Sequence, residues 1–277
     1  MPELPEVETV CRALAPRLGG RRVVAVHVFP GPLRTPLHEP ALQAALAGRQ
    51  ILAVRRRAKY LVVELTGRHA LLLHLGMTGH FRVCPKTEPR EKHARVEWTL
   101  DNGQAWRYID PRGFGQVRLC RLPAPGAEPS ELAGLGPEPL EDGFSGAVLA
   151  AAGRGRRCAV KALLLDQAVV AGVGNIYASE ACFRAGVRPQ RPAGDLKRRA
   201  WDKLAAAVRA VLAEAVQCGG TTISDFRDVD GNAGLFDVNL QVYGRDGEPC
   251  VTCGARAKIH RLVIAGRSSF YCQHCQK

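Results

Sequence analysis

Apolar residues recur along this chain first at helical spacing, then in alternation, then at helical spacing again. Val7, Val10, Cys11 and Leu14 fall three or four residues apart, which puts them on one face of a helix. Residues 22–28 have strand composition, and residues 37–48 predict a short helix. Six β-like runs follow, at 50–55, 60–65, 70–75, 95–100, 105–109 and 116–121. Asp101-Asn-Gly103 between two of them signals a tight hairpin, because Asn and Gly tolerate the left-handed backbone of a two-residue turn. Strands this closely spaced, with no helix between them, favour an antiparallel sandwich or barrel.

Residues 122–142 break the pattern with Pro123, Pro125, Pro129, Pro137, Pro139 and several glycines, and read as a linker. Helical spacing returns at 144–152, 158–169, 176–185 and 196–216, the last of these rich in Ala. A polar, Gly-rich stretch at 219–239 precedes a cysteine-bearing module. The pattern therefore predicts an α+β multidomain chain. A strand-rich domain with a leading helix occupies 1–121, a linker 122–142, a helical domain 143–240 and the cysteine module 241–277. No internal repeat or low-complexity tract interrupts this order.

Composition adds a partner. The 277 residues are 46% hydrophobic and 23% charged, enough for an ordinary core, yet the formal charge is +13. Solubility needs less than that; a polyanion is the simplest reason for it, and nucleic acid fits better than a membrane. No apolar run is long enough to span a bilayer and the start lacks a signal-peptide pattern, so a cytoplasmic, nucleoid-associated protein is expected. Of ten cysteines, Cys11, Cys84, Cys120, Cys158, Cys182 and Cys218 stand singly in core-like surroundings and read as buried free thiols.

The other four form Cys250-Val-Thr-Cys253 and Cys272-Gln-His-Cys275, two knuckles at zinc-ribbon spacing. Four thiolates close a tetrahedral site and leave no open position, so one structural zinc is expected; a redox dithiol would account for one such pair but not for two so placed. His274 reads as a bystander. Two short strands, 259–265 and 268–271, are predicted between the knuckles. The module has Arg256, Lys258, Arg261, Arg267 and Lys277 but no acid between its first and last cysteine. A rigid hairpin with a basic tip suits a phosphate or a groove, against the plainer reading of a solvated hairpin.

Two further stretches carry candidate chemistry. Val170-Ala-Gly-Val-Gly-Asn-Ile176 joins two predicted helices, and free N–H groups where the second begins can grip a phosphate, with Arg157 and Lys161 adding charge. The chain opens Met-Pro-Glu-Leu-Pro-Glu. A small second residue predicts loss of Met1, leaving Pro2 with a secondary amine that titrates near about 7.7–8. Such an amine can attack an electrophilic carbon and form an iminium, with Glu3 beside it to move a proton. Proline and acids are equally the ordinary opening of a helix.

As a string, Pro2-Glu-Leu-Pro-Glu-Val-Glu-Thr-Val10 resembles the opening of the formamidopyrimidine-DNA glycosylases. The resemblance continues in order through Arg57-Ala-Lys-Tyr60, His74-Leu-Gly-Met-Thr-Gly79 and Asp110-Pro-Arg-Gly-Phe-Gly115. In the second half it takes in Lys161 to Gln167, Val173 to Glu180, Gly219-Gly-Thr-Thr222, Val242-Tyr-Gly-Arg245 and the cysteine module. It implies an N-terminal β-sandwich, a helix–two-turn–helix domain and a four-cysteine zinc-finger hairpin, with duplex DNA bearing oxidised bases across a basic cleft, and a monomer. The implied activity is base-excision repair: a bifunctional glycosylase and AP lyase for oxidised purines, 8-oxoguanine and formamidopyrimidines among them. Such an enzyme must first extrude its target base.

The resemblance also implies roles. Pro2 is the nucleophile, Glu3 the general acid, Lys59 an active-site lysine, and Arg267 a catalytic residue at the finger tip that holds the phosphates flanking the lesion and assists the second elimination. Glu6 matches another acidic position. Met77, Arg112 and Phe114 match a void-filling trio, although a lone Met or Phe on a strand is ordinarily core. His93, Arg157, Lys161 and Asn175 match phosphate contacts. Thr221 and Thr222 belong to a loop covering the extruded base. His93-Ala-Arg95 departs from the His-Asp-His of many relatives, and Arg95 is expected to meet phosphate in place of the second histidine. Two alternatives stay open: an endonuclease VIII-like enzyme for oxidised pyrimidines, whose opening is typically Pro-Glu-Gly-Pro, and a non-catalytic zinc-finger DNA-binding protein.

Overall fold

Helix α1, Leu4–Leu18, forms where the apolar spacing places it, with Val7, Val10, Leu14 and Leu18 buried along one face. The computed structural model describes residues 1–221 and 239–277; Thr222 and most of the stretch expected to cover an extruded base lie outside them. Two compact units result. The first comprises Met1–Ala133 with residues 219–221, and the second residues 134–218 and 239–277.

In the first unit α1 is followed by strand β1 (Val23–Val28), helix α2 (Glu39–Leu46) and strands β2 (Ile51–Arg57), β3 (Tyr60–Leu65), β4 (His69–His74), β5 (His80–Pro85), β6 (Ala94–Leu100), β7 (Gln104–Ile109) and β8 (Gln116–Arg121). They form two antiparallel four-stranded sheets, ordered β1-β6-β7-β5 and β2-β3-β4-β8. Leu61, Val63, Leu71 and Leu73 of one sheet share a core with Val96, Trp98, Trp106 and Tyr108 of the other and with the apolar face of α1. That makes the unit a β-sandwich with a leading helix. Each large apolar side chain so buried contributes about 1.5–3 kcal/mol, and Trp98 stacks on Trp106 with centroids 4.1 Å apart.

Strand β5 is absent from the sequence expectation. It lies at a sheet edge, paired with β7; half-exposed His80 and Arg82 alternate with core-facing Phe81 and Val83, and Cys84, buried on the opposite face, breaks the pattern. The proline-rich stretch after β8 is not slack. Arg55 donates to the carbonyls of Gly126 and Ala127, Glu64 accepts the Gly126 N–H, and Arg57 pairs with Glu128 at 2.8 Å.

The second unit contains helices α3 (Gly146–Gly153), α4 (Val160–Leu165), α5 (Asn175–Arg184) and α6 (Arg198–Gln217), then strands β9 (Pro249–Cys250), β10 (Gly254–Ile264) and β11 (Arg267–Cys272) in an antiparallel sheet. Helix α4 stops four residues short of expectation. Gln167 ties off the turn beyond it, donating to the carbonyls of Leu165 and Val173 and accepting the Gly172 N–H. Strand β10 begins five residues earlier than its apolar residues suggest, because its polar start pairs with β9. Of the single cysteines, Cys11, Cys84, Cys120 and Cys182 are buried, whereas Cys158 is exposed in the turn before α4 and Cys218 is half-buried, which corrects the expectation for those two. No described helix is long and apolar enough to cross a membrane.

Candidate active site and metal centre

Pro2 and Glu3 are buried at the head of α1, with Glu3 as its N-cap in extended conformation. Glu3 and Glu6 form a reciprocal capping box, in which each side chain accepts the other's backbone N–H, Glu3 N–H to Glu6 Oε2 at 2.7 Å. The remaining oxygen of Glu6 accepts the Thr221 N–H at 2.8 Å and its hydroxyl at 3.1 Å. Gly220, at φ +84°, passes so near that a Cβ would fall 2.9 Å from Glu6 Oε1. One carboxylate thus fixes both the helix start and the residue that leads into 222–238. Both donors of Thr221 are committed to it.

Lys59 is buried in the tight β2–β3 turn, where Ala58 takes a left-handed φ of +52°. Arg56 holds that turn to α1, donating to Glu8 Oε2 at 2.7 Å and to the Ala58 carbonyl at 3.3 Å. Next to Lys59, Tyr60 pairs across the sheet with His74, whose ring packs edge-on against it at 5.0 Å. Burial, reinforced by the positive charges of Arg34 and Lys59, pushes the His74 imidazole down to about 4. Its Nδ1 accepts the Gly76 N–H at 2.9 Å. The sequence shows His74 only as part of a motif.

Met77 lies in the β4–β5 turn, and Arg112 and Phe114 on the loop between β7 and β8. Asp110, fully buried, joins the two. Its Oδ1 accepts the Thr78 hydroxyl at 2.9 Å, and its Oδ2 accepts the Gly115 N–H at 2.8 Å and the Tyr108 hydroxyl at 3.4 Å. The Thr78 oxygen in turn accepts the Arg112 N–H at 3.3 Å. Burial, then the Asp110 charge, raises the Tyr108 phenol above its ordinary range. Gly76, at φ +66°, lets the segments touch, for a Cβ there would sit 2.5 Å from the Phe114 backbone. Arg112 stacks over the exposed Phe114 ring at 5.0 Å. Half-buried His93 reaches the same loop through its carbonyl, which accepts the Asp110 N–H at 3.0 Å. Arg95 is buried with its guanidinium turned onto backbone carbonyls, which corrects its expected place at a phosphate.

In the second unit, Lys161 and Asn175 converge on the finger hairpin. Lys161 is wholly buried; its ammonium donates to the Ser268 carbonyl at 3.0 Å and the Ser269 hydroxyl at 2.8 Å. The Asn175 amide donates to the same Ser268 carbonyl at 3.0 Å and to the Tyr243 hydroxyl at 3.4 Å. Arg267, next to Ser268, is exposed where Ala265 and Gly266 turn the hairpin with positive φ, as a two-residue turn of this twist requires. Arg157 is exposed on the turn into α4. Glu180, another residue visible in sequence only as part of a motif, accepts the backbone N–H groups of Gln241, Val242 and Tyr243 at 2.8–3.0 Å. Burial raises its carboxyl, against the pull of those three bonds.

The Sγ atoms of Cys250, Cys253, Cys272 and Cys275 lie within 4.8 Å of one another. Tetrahedral zinc on four thiolates asks for sulfur separations of about 3.8 Å, and Cys250 and Cys275 stand at 3.6 Å. An all-sulfur donor set with no open position suits one structural zinc. His274 Nδ1 is 3.3 Å from Cys253 Sγ, beside the cluster and outside the four-sulfur set.

A β-sandwich with a leading helix, a helical unit and a basic four-cysteine hairpin define a class: two-unit, zinc-finger nucleic-acid-binding proteins. Comparison with known proteins gives the family. Residues 1–117 match the formamidopyrimidine-DNA glycosylase N-terminal domain, 135–227 the formamidopyrimidine-DNA glycosylase H2TH domain, and 247–277 the zinc finger found in FPG and IleRS. A formamidopyrimidine-DNA glycosylase of Stenotrophomonas maltophilia (strain R551-3) is 50% identical over 277 residues, covering 100% of both chains. That of Halorhodospira halophila is 50% identical over 281 residues, again covering 100% of both. Among solved structures, the MutM (FPG) protein of Thermus thermophilus is 42% identical with a TM-score of 0.85, covering 99% of this chain and 98% of that one. A Lactococcus lactis FPG mutant in complex with Fapy-dG-containing DNA is 31% identical with a TM-score of 0.87 over 100% of both. The chain belongs to the formamidopyrimidine-DNA glycosylase family.

Proposed function

We infer that this protein is a base-excision-repair DNA glycosylase and AP lyase that removes oxidised purines from duplex DNA, working in the cytoplasm on the nucleoid. The observation that carries the reading is the head of α1. Pro2 and Glu3 open a helix whose start is locked by Glu6, within a chain matched along its full length by formamidopyrimidine-DNA glycosylases. Free of Met1, the Pro2 nitrogen attacks C1′ of the lesion sugar as the bond to the base breaks and the base leaves with a proton. The nitrogen sheds its own proton, and when the C1′–O4′ bond then breaks, with O4′ taking a proton, its lone pair closes the iminium. Glu3 supplies the proton that opens the ring at O4′ or assists the leaving base. β-Elimination then breaks the C3′–O bond and δ-elimination the C5′–O bond, leaving a gap. Lys59 serves the lesion phosphate and the eliminations.

Met77 and Phe114 fill the stack that the extruded base vacates, while Arg112 hydrogen-bonds the orphaned cytosine. Arg267, His93 and Arg157 serve the phosphates and Thr222 the edge of the covered base. Lys161 and Asn175, expected at phosphates, instead brace the hairpin that carries Arg267, and Thr221, expected at the base, is held by Glu6. Zinc supplies no chemistry; it holds the finger's shape. We assign 1–121 as the catalytic domain, 122–142 as the linker, 143–240 as the helical DNA-binding domain and 241–277 as the finger.

The test is borohydride reduction during incubation with 8-oxoguanine duplex, with an oxidised-pyrimidine duplex as competitor. A covalent protein–DNA complex, outcompeted poorly by the pyrimidine lesion, is expected. No trapped complex from native protein defeats the enzyme reading, and preferential trapping on the pyrimidine duplex favours the endonuclease VIII-like one.

A further inference from the structure

The loop carrying Arg112 and Phe114 needs a rigid base if its side chains are to read an opposing nucleotide, and the fold shows where that base is. Arg95, the second residue of β6, buries its guanidinium and spends it on two carbonyls: Nε donates to Asp110 O at 3.0 Å and Nη1 to Pro30 O at 3.0 Å. Its own carbonyl accepts the Phe29 N–H at 2.9 Å. Gly31, at φ +141°, packs so closely on the guanidinium that any Cβ there would overlap it. The segment 29–34 is fastened to the loop 110–115 at two more points. The Arg34 N–H donates to the Gly115 carbonyl at 3.0 Å, and Gly113, at φ +68°, lies so near Pro32 that a Cβ would fall 2.6 Å from its ring.

We propose that Arg95 is a positioning residue for lesion-partner recognition, clamping segment 29–34 and the Asp110 carbonyl together so that Arg112 and Phe114 are held at a fixed angle. The planar fork of arginine reaches both carbonyls at once, which the single ammonium of lysine does not. Asp110 is the residue whose side chain organises the loop, so fixing its carbonyl fixes the loop where it leaves β7. A guanidinium bonded inward in this way is not presented to a phosphate. The inference rests on reading Arg112 and Phe114 as the wedge.

The test uses full-length, zinc-loaded protein with R95K, and R95A beside it. Hydrogen exchange of amides 110–116 is expected to rise roughly tenfold in R95K while peptides from α6 stay as in the parent. The ratio of 8-oxoguanine excision opposite cytosine to that opposite adenine is expected to fall roughly tenfold, about the worth of one bidentate base contact. Trapping on a duplex with a preformed abasic site, where no base is left to remove, should stay within about twofold. Should R95A fail to fold, R95K alone carries the test, since it keeps the charge and one donor. Unchanged exchange overturns the clamp, and faster exchange with an unchanged ratio overturns its part in recognition. Uniformly weaker binding with a salt slope reduced by about one marks a phosphate contact and overturns both. If the parent protein traps nothing, the enzyme reading has failed, while the exchange measurement still decides the clamp.

Discussion

His74 shows how one buried ring makes the sandwich sensitive to acid. The unfolded imidazole takes up its proton near 6.5, whereas in the fold burial and the charges of Arg34 and Lys59 hold it down to about 4. Between those values the unfolded chain binds the extra proton, so this residue's stabilisation is complete above pH 6.5 and is lost as pH falls toward 4. The loss amounts to about 3 kcal/mol at the low end. H74Q keeps an acceptor for the Gly76 N–H and removes the titration. Urea unfolding at pH 4.5 and 7.5 should therefore show a smaller pH dependence in H74Q than in the parent, and equal slopes would contradict the assignment. At this scale the sequence is eloquent about residues whose chemistry is intrinsic, such as the terminal proline and the paired cysteines. It gives Asp110 and Glu180 no role beyond membership of a motif and sends Arg95 to a phosphate, because a lone acid or arginine acquires its meaning only from the backbone groups that folding brings to it.

Elements are legible where one periodicity prevails. The Asp101-Asn-Gly103 hairpin joins β6 to β7 and the Ala-rich run forms α6, because both patterns agree with the burial they produce. Edge strand β5 and the start of β10 escape because each buries little, so their polar residues hide the pattern. The finger hairpin depends on its metal as an element depends on a core. Its own apolar cluster is small, consisting of Phe183, Val242, Cys250, Ile259, Phe270 and Cys272, and structural zinc is worth about 10–16 kcal/mol to small domains of this kind. Removing zinc with a chelator should melt β9 to β11 and with them the hold of Lys161 and Asn175 on Ser268. Hydrogen exchange would rise across 249–277 and DNA binding would be lost, while Trp98 and Trp106, deep in the sandwich, keep their fluorescence. A finger that stays protected without metal would remove zinc as its organiser.

Across the whole molecule, the proposed grip of Arg267 and the proposed chemistry of Pro2 belong to different residues and can be separated. A formal charge of +13 makes association with DNA depend steeply on salt, and exposed Arg267 contributes one cation at the tip of a hairpin braced by Lys161 and Asn175. R267A should lower affinity alike for all sequences and reduce the salt slope by about one. The amine is a different matter. While Met1 is attached, the Pro2 nitrogen belongs to a tertiary amide, has no basic lone pair and cannot form an iminium; only a processed terminus offers a secondary amine. Protein that keeps Met1, or carries an N-terminal tag, should bind lesion duplex with nearly the parent's salt slope, since no phosphate-binding cation is altered, yet give no complex on borohydride reduction. Processed R267A should show the converse, trapping at low salt and failing as salt rises. Mass spectrometry of the terminus, run beside the trap, ties the outcome to the residue. A full yield of trapped complex from a blocked terminus would take the nucleophile's role from Pro2 and pass it to a lysine, for which buried Lys59 is the first to examine.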